Sequence, residues 1–149
     1  MYDGFVGYVV SRQSDSIVVG VATSQPEGKF QGFLHKIYVA RPSQFEPGKE
    51  VTISTYLQKT EYKDALYGFE SAGQQELFLD LIQCDAIGPR AAINICALGS
   101  VDNIKQAIRM GNDDFLQGAR GVSKGAKNII LKLARKYSEQ HAKVQPDLL

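Results

Sequence analysis

The sequence predicts an α+β multidomain protein, a small five-stranded β-barrel followed by an all-α module of short, paired helices. Three observations carry this. Up to Phe69 the apolar residues come in short runs rich in Val, Ile, Thr and aromatics, separated by turn residues. Beyond Phe69 they recur at helical spacing. In the second half, glycine-containing turns return every ten to fifteen residues, as short helices joined tightly require.

The strand candidates are FVGYVV from Phe5, SIVVGVAT from Ser16, FLHKIYVA from Phe33, EVTISTYLQK from Glu50 and ALYGF over 65–69. Gln13-Ser14-Asp15, Gln25-Pro26-Glu27-Gly28 and the stretch from Pro42 to Gly48 mark connections between them. Five such strands in a domain over 1–69 fit an oligonucleotide/oligosaccharide-binding (OB) fold, with an SH3-like barrel as the alternative. Ser71 is a candidate N-cap with Gln74 three residues on, opening a helix that carries Leu77, Phe78, Leu81 and Ile82. Further helices are expected over 89–97, 101–110, 113–117 and 124–137, giving a tandem helix-hairpin-helix domain over 70–137. Residues 138–149 read as a polar tail or the start of a linker.

With 149 residues and 44% hydrophobic content the chain can form packed cores. No apolar run is long enough to span a bilayer and the N-terminus lacks a signal-peptide pattern, so the expected location is the cytoplasm, with no membrane partner. Cys84 and Cys96 are expected as reduced core thiols, and with only two histidines, His35 and His141, no metal or other cofactor is expected. No phosphate-binding P-loop, paired metal carboxylates or nucleophile with an adjacent base is present, so an intrinsic catalytic site is not expected. The one adjacent acid pair, Asp113-Asp114, suits a helix start.

The net charge of +1 conceals an asymmetry. Residues 1–69 carry seven Lys/Arg and seven Asp/Glu, whereas residues 118–136 carry Arg120, Lys124, Lys127, Lys132, Arg135 and Lys136 with no acid. Within the helical half two similar units recur, Cys84-Asp-Ala-Ile-Gly-Pro-Arg-Ala-Ala-Ile and Gly118-Ala-Arg-Gly-Val-Ser-Lys-Gly-Ala-Lys. Each reads as a helix, a tight turn and a second helix whose first amides, with the positive end of the helix dipole, can seat a phosphate. Pro89 suits the first helical position, where its missing N–H is harmless, and Arg90 follows it. Ser123 is the expected cap of the later helix, with Lys124 beside the seat and Lys127 a turn further. Either turn alone is what any helical bundle needs; two in one short domain, each followed by a basic residue, point to duplex backbone contacts. Such contacts carry no base information, so the expected binding is selective for structure rather than sequence. Lys132 and Arg135 read as ordinary solvated surface.

Leu66-Tyr67-Gly68-Phe69 leading into a helix, followed by Ala86-Ile87-Gly88-Pro89-Arg90-Ala91-Ala92, resembles the RuvA family of Holliday-junction-binding proteins. The opening Met1-Tyr2-Asp3-Gly4-Phe5-Val6-Gly7 and the loop Phe45-Glu46-Pro47-Gly48-Lys49-Glu50 are also similar to that family, so the likeness covers almost the whole chain. It implies a homotetramer, or an octamer on DNA, that receives a four-way junction in recombination and repair. Each subunit would grip a duplex arm through phosphates at Ile87, Gly88, Arg90, Gly121, Ser123, Lys124 and Lys127. It further implies a non-catalytic subunit of a branch-migration helicase complex that presents the junction to a RuvB-type hexameric ATPase.

Four departures from the family pattern stand out. The acidic pin that the family places at the junction centre retains one acid, Glu61, with Tyr62 in the second place. The later turn reads Gly121-Val122-Ser123 for G-x-G, with Arg120 where a proline is usual. The lysine pair after it becomes Lys124-Gly125, and Ile129 replaces a helical arginine. The family's third, motor-docking domain is not expected in these residues, so motor docking is not carried over. The alternative function is a single-strand-binding or protein-interaction module working through the barrel, with Tyr8, Phe30, Phe33, Tyr38 and Tyr56 as stacking candidates. Alternation with other apolar residues favours core packing for most of these aromatics.

Overall fold

A computed structural model of the chain describes residues 2–22, 32–122 and 124–144. The chain divides into two compact units, Met1–Gln75 and Glu76–Leu149. The expected turn at Gln25–Gly28, the aromatic Phe30 and the expected cap Ser123 lie outside the described residues.

The first unit is a closed barrel of β1 (Tyr2–Arg12), β2 (Ser16–Ala22), β3 (Gly32–Tyr38), β4 (Glu50–Lys59) and β5 (Asp64–Phe69), in the order β1-β2-β3-β5-β4. All pairings are antiparallel except β3 with β5, where Ile37 faces Leu66 and Tyr38 faces Tyr67. One parallel link in a ring otherwise joined antiparallel is the strand order of the OB fold, which settles the choice against the SH3-like alternative. A short 3-10 turn, Pro42–Gln44, lies between β3 and β4.

Alternation decides which side chains fill the barrel. Val9, Ile17, Val19, Ile37, Val39, Phe45 and Ile53 form the core, with Val51 and Leu66 packed against it. Gly7 and Gly68 sit where the wall is tightest. A Cβ on Gly7 would stand 2.4 Å from the Gly20 carbonyl oxygen, and one on Gly68 would stand 2.5 Å from Ile53 Cδ1 and 2.7 Å from Ile37 Cγ2.

The same alternation corrects the expected fate of two aromatics. Gly7 and Val9 face inward, so Tyr8 faces out and is 48% exposed. Phe33 is 68% exposed, because the first half of β3 contributes only exposed or half-buried positions and its inward residues begin at Ile37. Tyr38 and Tyr56 are half-buried.

The start of α1 (Ala72–Ile82) belongs to the barrel unit. Ser71 Oγ accepts from the Gln74 amide at 3.1 Å, and Gln74 Oε1 accepts from the Glu70 amide at 2.9 Å, so the capping expected from Ser71 and Gln74 is present. Gln74 Nε2 also donates to Glu70 Oε2 at 2.9 Å, and Arg41 pairs with Glu70 Oε1 at 3.3 Å. This network ties the first helical turn to the barrel unit.

The second unit holds the rest of α1 with α2 (Pro89–Cys96), α3 (Val101–Arg109), α4 (Asp113–Gln117) and α5 (Ala126–Val144). Leu77, Phe78, Leu81, Ile95, Ile104, Ile108, Leu116, Ile129, Leu133 and Tyr137 are its larger buried side chains. Ser100 caps α3 by accepting from the Asn103 amide, and Asn112 caps α4 by accepting from the Phe115 amide. Asp113 and Asp114 therefore sit in the first turn of α4, favourable to its dipole, while the cap itself is Asn112.

Helix α5 departs from expectation at both ends. It begins at Ala126 instead of Lys124, because the Gly125 amide bonds back to the Val122 carbonyl at 2.6 Å and the first i→i−4 bond runs from Ile129 to Gly125. It continues past Tyr137, where the polar tail was expected, to Val144. Polar residues sustain it: Arg135 pairs with Glu139 at 3.1 Å across one turn, and His141 and Lys143 in the last turn suit the negative end of the dipole. Among the described residues no helix is long and apolar enough to cross a membrane, and no three His, Cys, Asp or Glu side chains are grouped to hold a metal. Cys84 and Cys96 are buried and form no disulfide.

Candidate nucleic-acid interface

The two helix-joining turns of the second unit lie against each other. Ile87, in the first turn, reaches Gly125, in the second, so closely that a Cβ on Gly125 would stand 2.4 Å from Ile87 Cδ1. A Cβ on Gly121 would stand 3.8 Å from Ala91 Cβ. Two amide side chains complete the contact reciprocally. Asn94 Nδ2 of α2 donates to the Arg120 carbonyl at 3.1 Å, and Asn128 Nδ2 of α5 donates to the Asp85 carbonyl at 3.0 Å. Lys132 Nζ adds a bond to the Gln83 carbonyl at 2.9 Å.

Backbone conformation matches between the turns as well. Ala86 has φ 67° and Gly121 has φ 82°, each one residue before a buried apolar side chain, Ile87 or Val122. For Gly121 the left-handed conformation explains the glycine; for Ala86 it costs about 1 kcal/mol. Gly88 needs a different explanation. Its φ of −88° and ψ of 175° suit any residue, and nothing lies within 4 Å of where its Cβ would stand. The fold does not demand glycine there.

Each turn leads into a helix. In α2 the first i→i−4 bond runs from Ala92 to Gly88 at 2.9 Å, so the Arg90 and Ala91 amides precede it, while Pro89 has no N–H to satisfy. Arg90, Arg120, Lys124 and Lys127 are exposed, and Lys124 stands in the turn before α5 rather than inside the helix. Among the described residues, Arg120, Lys124 and Lys127 pair with no carboxylate.

The remaining cations of the acid-free stripe are engaged within the protein. Lys132 holds the Gln83 carbonyl, Arg135 pairs with Glu139, and Lys136 pairs with Asp80 at 2.8 Å. Asp80 Oδ2 also accepts from the Tyr137 hydroxyl at 2.8 Å, and burial together with this carboxylate raises the phenol above its ordinary value. Burial likewise pushes the Cys84 thiol up, with the nearby Lys132 charge opposing it.

Of the residues expected to line the interface, Ile87 is only 5% exposed, so its side chain packs inside and only its backbone can face a ligand. Gly88, Arg90, Gly121, Lys124 and Lys127 are exposed on or beside the paired turns. Glu61 stands apart from them in sequence, exposed in the β4–β5 turn of the barrel unit, with Tyr62 beside it. Sequence reasoning missed Asn94 and Asn128. The available signal was an asparagine inside each helix that follows a turn, since asparagine is a poor helix former.

An OB barrel followed by two reciprocally bonded helix-joining turns defines a barrel-plus-tandem-hairpin protein. No family model matches the chain. Curated relatives named Holliday junction branch migration complex subunit RuvA do: the Acholeplasma laidlawii protein is 35% identical over 146 residues, covering 97% of this chain and 74% of its own length. The Treponema denticola protein is 38% identical over 142 residues, covering 93% of this chain and 66% of its own. For the Geobacillus sp. protein the figures are 35% over 120 residues, 78% and 60%. The chain belongs to the RuvA family, and it spans between about half and three quarters of the length of the curated relatives it matches.

Proposed function

We propose that this chain is a non-catalytic, structure-selective DNA-binding subunit of a branch-migration complex, which binds four-way Holliday junctions in recombination and repair. The paired turns grip the backbone of a duplex arm. The Gly88 and Gly121 segments approach the phosphates through main-chain groups, and Arg90, Lys124 and Lys127 neutralise them. The observation that carries this reading is the reciprocal bonding of the two turns, which sets two helix starts side by side with Lys124 and Lys127 unpaired among the described residues. Open space at Gly88 adds to it, because a glycine that the fold does not need fits a close approach by an external backbone.

Family membership supports the junction as the ligand and a homotetramer as the working assembly; docking of a RuvB-type ATPase goes with the family's third domain and is not proposed for these residues. Glu61 in the β4–β5 turn is the single acid of the pin that would face the junction centre. Gel-shift titration of an immobile four-way junction against a linear duplex with the same arm sequence tests the central claim. The expected result is clear preference for the junction; equal affinity would overturn it. Mass measurement in solution with and without the junction tests the tetramer.

A further inference from the structure

We infer that the β4–β5 turn of the barrel is a nucleobase-stacking site, with Tyr62 as the stacking ring for a base that is not paired within a duplex. The inference rests on the reading of the chain as a DNA-binding protein and adds a second, chemically different contact. Strands β4 and β5 pair in register from Ser54 with Phe69 out to Lys59 with Asp64, directly beneath the turn. The turn is then closed by its own bonds: the Thr60 amide donates to the Lys63 carbonyl at 3.2 Å, and the Lys63 amide donates to Thr60 Oγ1 at 3.1 Å. Tyr62 is thus held on a braced tip, and it is 92% exposed. Neither the barrel core nor the turn uses its ring.

Local charge selects the kind of contact. Lys59 and Asp64 face each other across the ladder, and Glu61 and Lys63 flank Tyr62, so the tip has no net charge to attract a phosphate backbone. With Glu61 on one side of Tyr62 and Lys63 on the other, a phosphate at the ring gains no net attraction to offset its desolvation. A neutral nucleobase face has no such penalty, and stacking on an aromatic side chain tolerates any base, since every base has a π-face. In a duplex those faces are covered by neighbouring pairs; only unpaired or splayed nucleotides expose them. The loop between strands four and five is also one of the edges through which OB barrels take oligonucleotides.

The test compares the full chain with Tyr62→Ala and Tyr62→Phe on a blunt duplex and on the same duplex carrying short unpaired oligo-dT tails. A 2-aminopurine placed in one tail reports stacking. The expected result is that the native chain and Tyr62→Phe bind the tailed duplex more tightly than the blunt one and quench the probe. Tyr62→Ala should bind the tailed duplex about tenfold more weakly, without quenching, and bind the blunt duplex unchanged. The inference is overturned if Tyr62→Ala keeps the native preference and quenching, if the native chain prefers neither ligand, or if Tyr62→Phe loses as much as Tyr62→Ala. Loss of junction selectivity with tail binding intact would count against the paired-turn grip and leave the tip supported; the opposite pattern would count against the tip alone.

Discussion

Replacing Lys124 and Lys127 together by Ala should flatten the salt dependence of duplex binding by an amount that can be stated in advance. Both lysines are exposed, and among the described residues neither pairs with a carboxylate, so each is available to displace a counterion from a phosphate. Each neutralised phosphate contributes about 0.9 to the slope of log affinity against log salt, so the double variant should lose about 1.8 per bound subunit. Over a fourfold rise in salt that removes roughly a tenfold change in affinity. Fluorescence anisotropy of a labelled duplex across a salt series measures the slope directly. The control is Lys132→Ala with Arg135→Ala, which removes the same charge from groups already bonded to the Gln83 carbonyl and to Glu139. Its slope should match the native one. If the control falls as far as the Lys124/Lys127 variant, or that variant does not change, the division of the exposed basic stripe into cations with and without a partner in the protein is wrong.

Other consequences can be measured on the free protein. Gly7→Ala places a methyl against the Gly20 carbonyl, which backbone movement alone can relieve, so the barrel unit should lose about 2–3 kcal/mol and melt more than about 10 °C lower; an unchanged melting temperature would refute the close approach of β1 and β2. Cys84 and Tyr137 are held protonated beyond their ordinary values of 9.0 and 10.0, so above those values the unfolded chain loses protons that the folded chain keeps. Stability of the helical unit should therefore be flat near neutrality and fall as pH rises above about 9, and urea midpoints that rise with alkaline pH would contradict the burial of both groups. Asn94→Ala and Asn128→Ala should each cost about 1 kcal/mol. A double-mutant cycle should give a non-additive loss, because each change loosens the same turn-to-turn contact; strict additivity would show that the turns are independent.

Local chemistry made much of the fold legible. The run EVTISTYLQK is bounded by polar residues, and β4 occupies Glu50–Lys59, the whole of it. Ser71 and Gln74 announce α1 through bonds that depend on their own spacing. Where tertiary partners decide, the sequence was less informative. Outward orientation of Tyr8 follows from Gly7 and Val9 filling the interior, and a glycine does not read as a core position. The extension of α5 over Ser138–Lys143 rests on charge pairing and the helix dipole, without the apolar periodicity that marks its first half. In the candidate site, Gly88, Arg90, Gly121, Lys124 and Lys127 were identifiable from motif and charge, but Asn94 and Asn128 act on carbonyls 26 and 43 residues away. Lys132 is exposed, as expected of solvated surface, and its bond to the Gln83 carbonyl is a partner no local pattern reveals.

The exchange of amide bonds between the two turns gives the helical unit a fixed calibre. Neither helix start can drift outward without breaking a bond donated from the other hairpin's helix, so these bonds favour one setting of the gap between them. Under the proposed reading, a duplex whose backbone spacing differs from that setting must either deform itself or break these bonds, at about 1 kcal/mol each. Under that reading, two asparagine side chains that need not touch the nucleic acid would contribute to discrimination among DNA shapes.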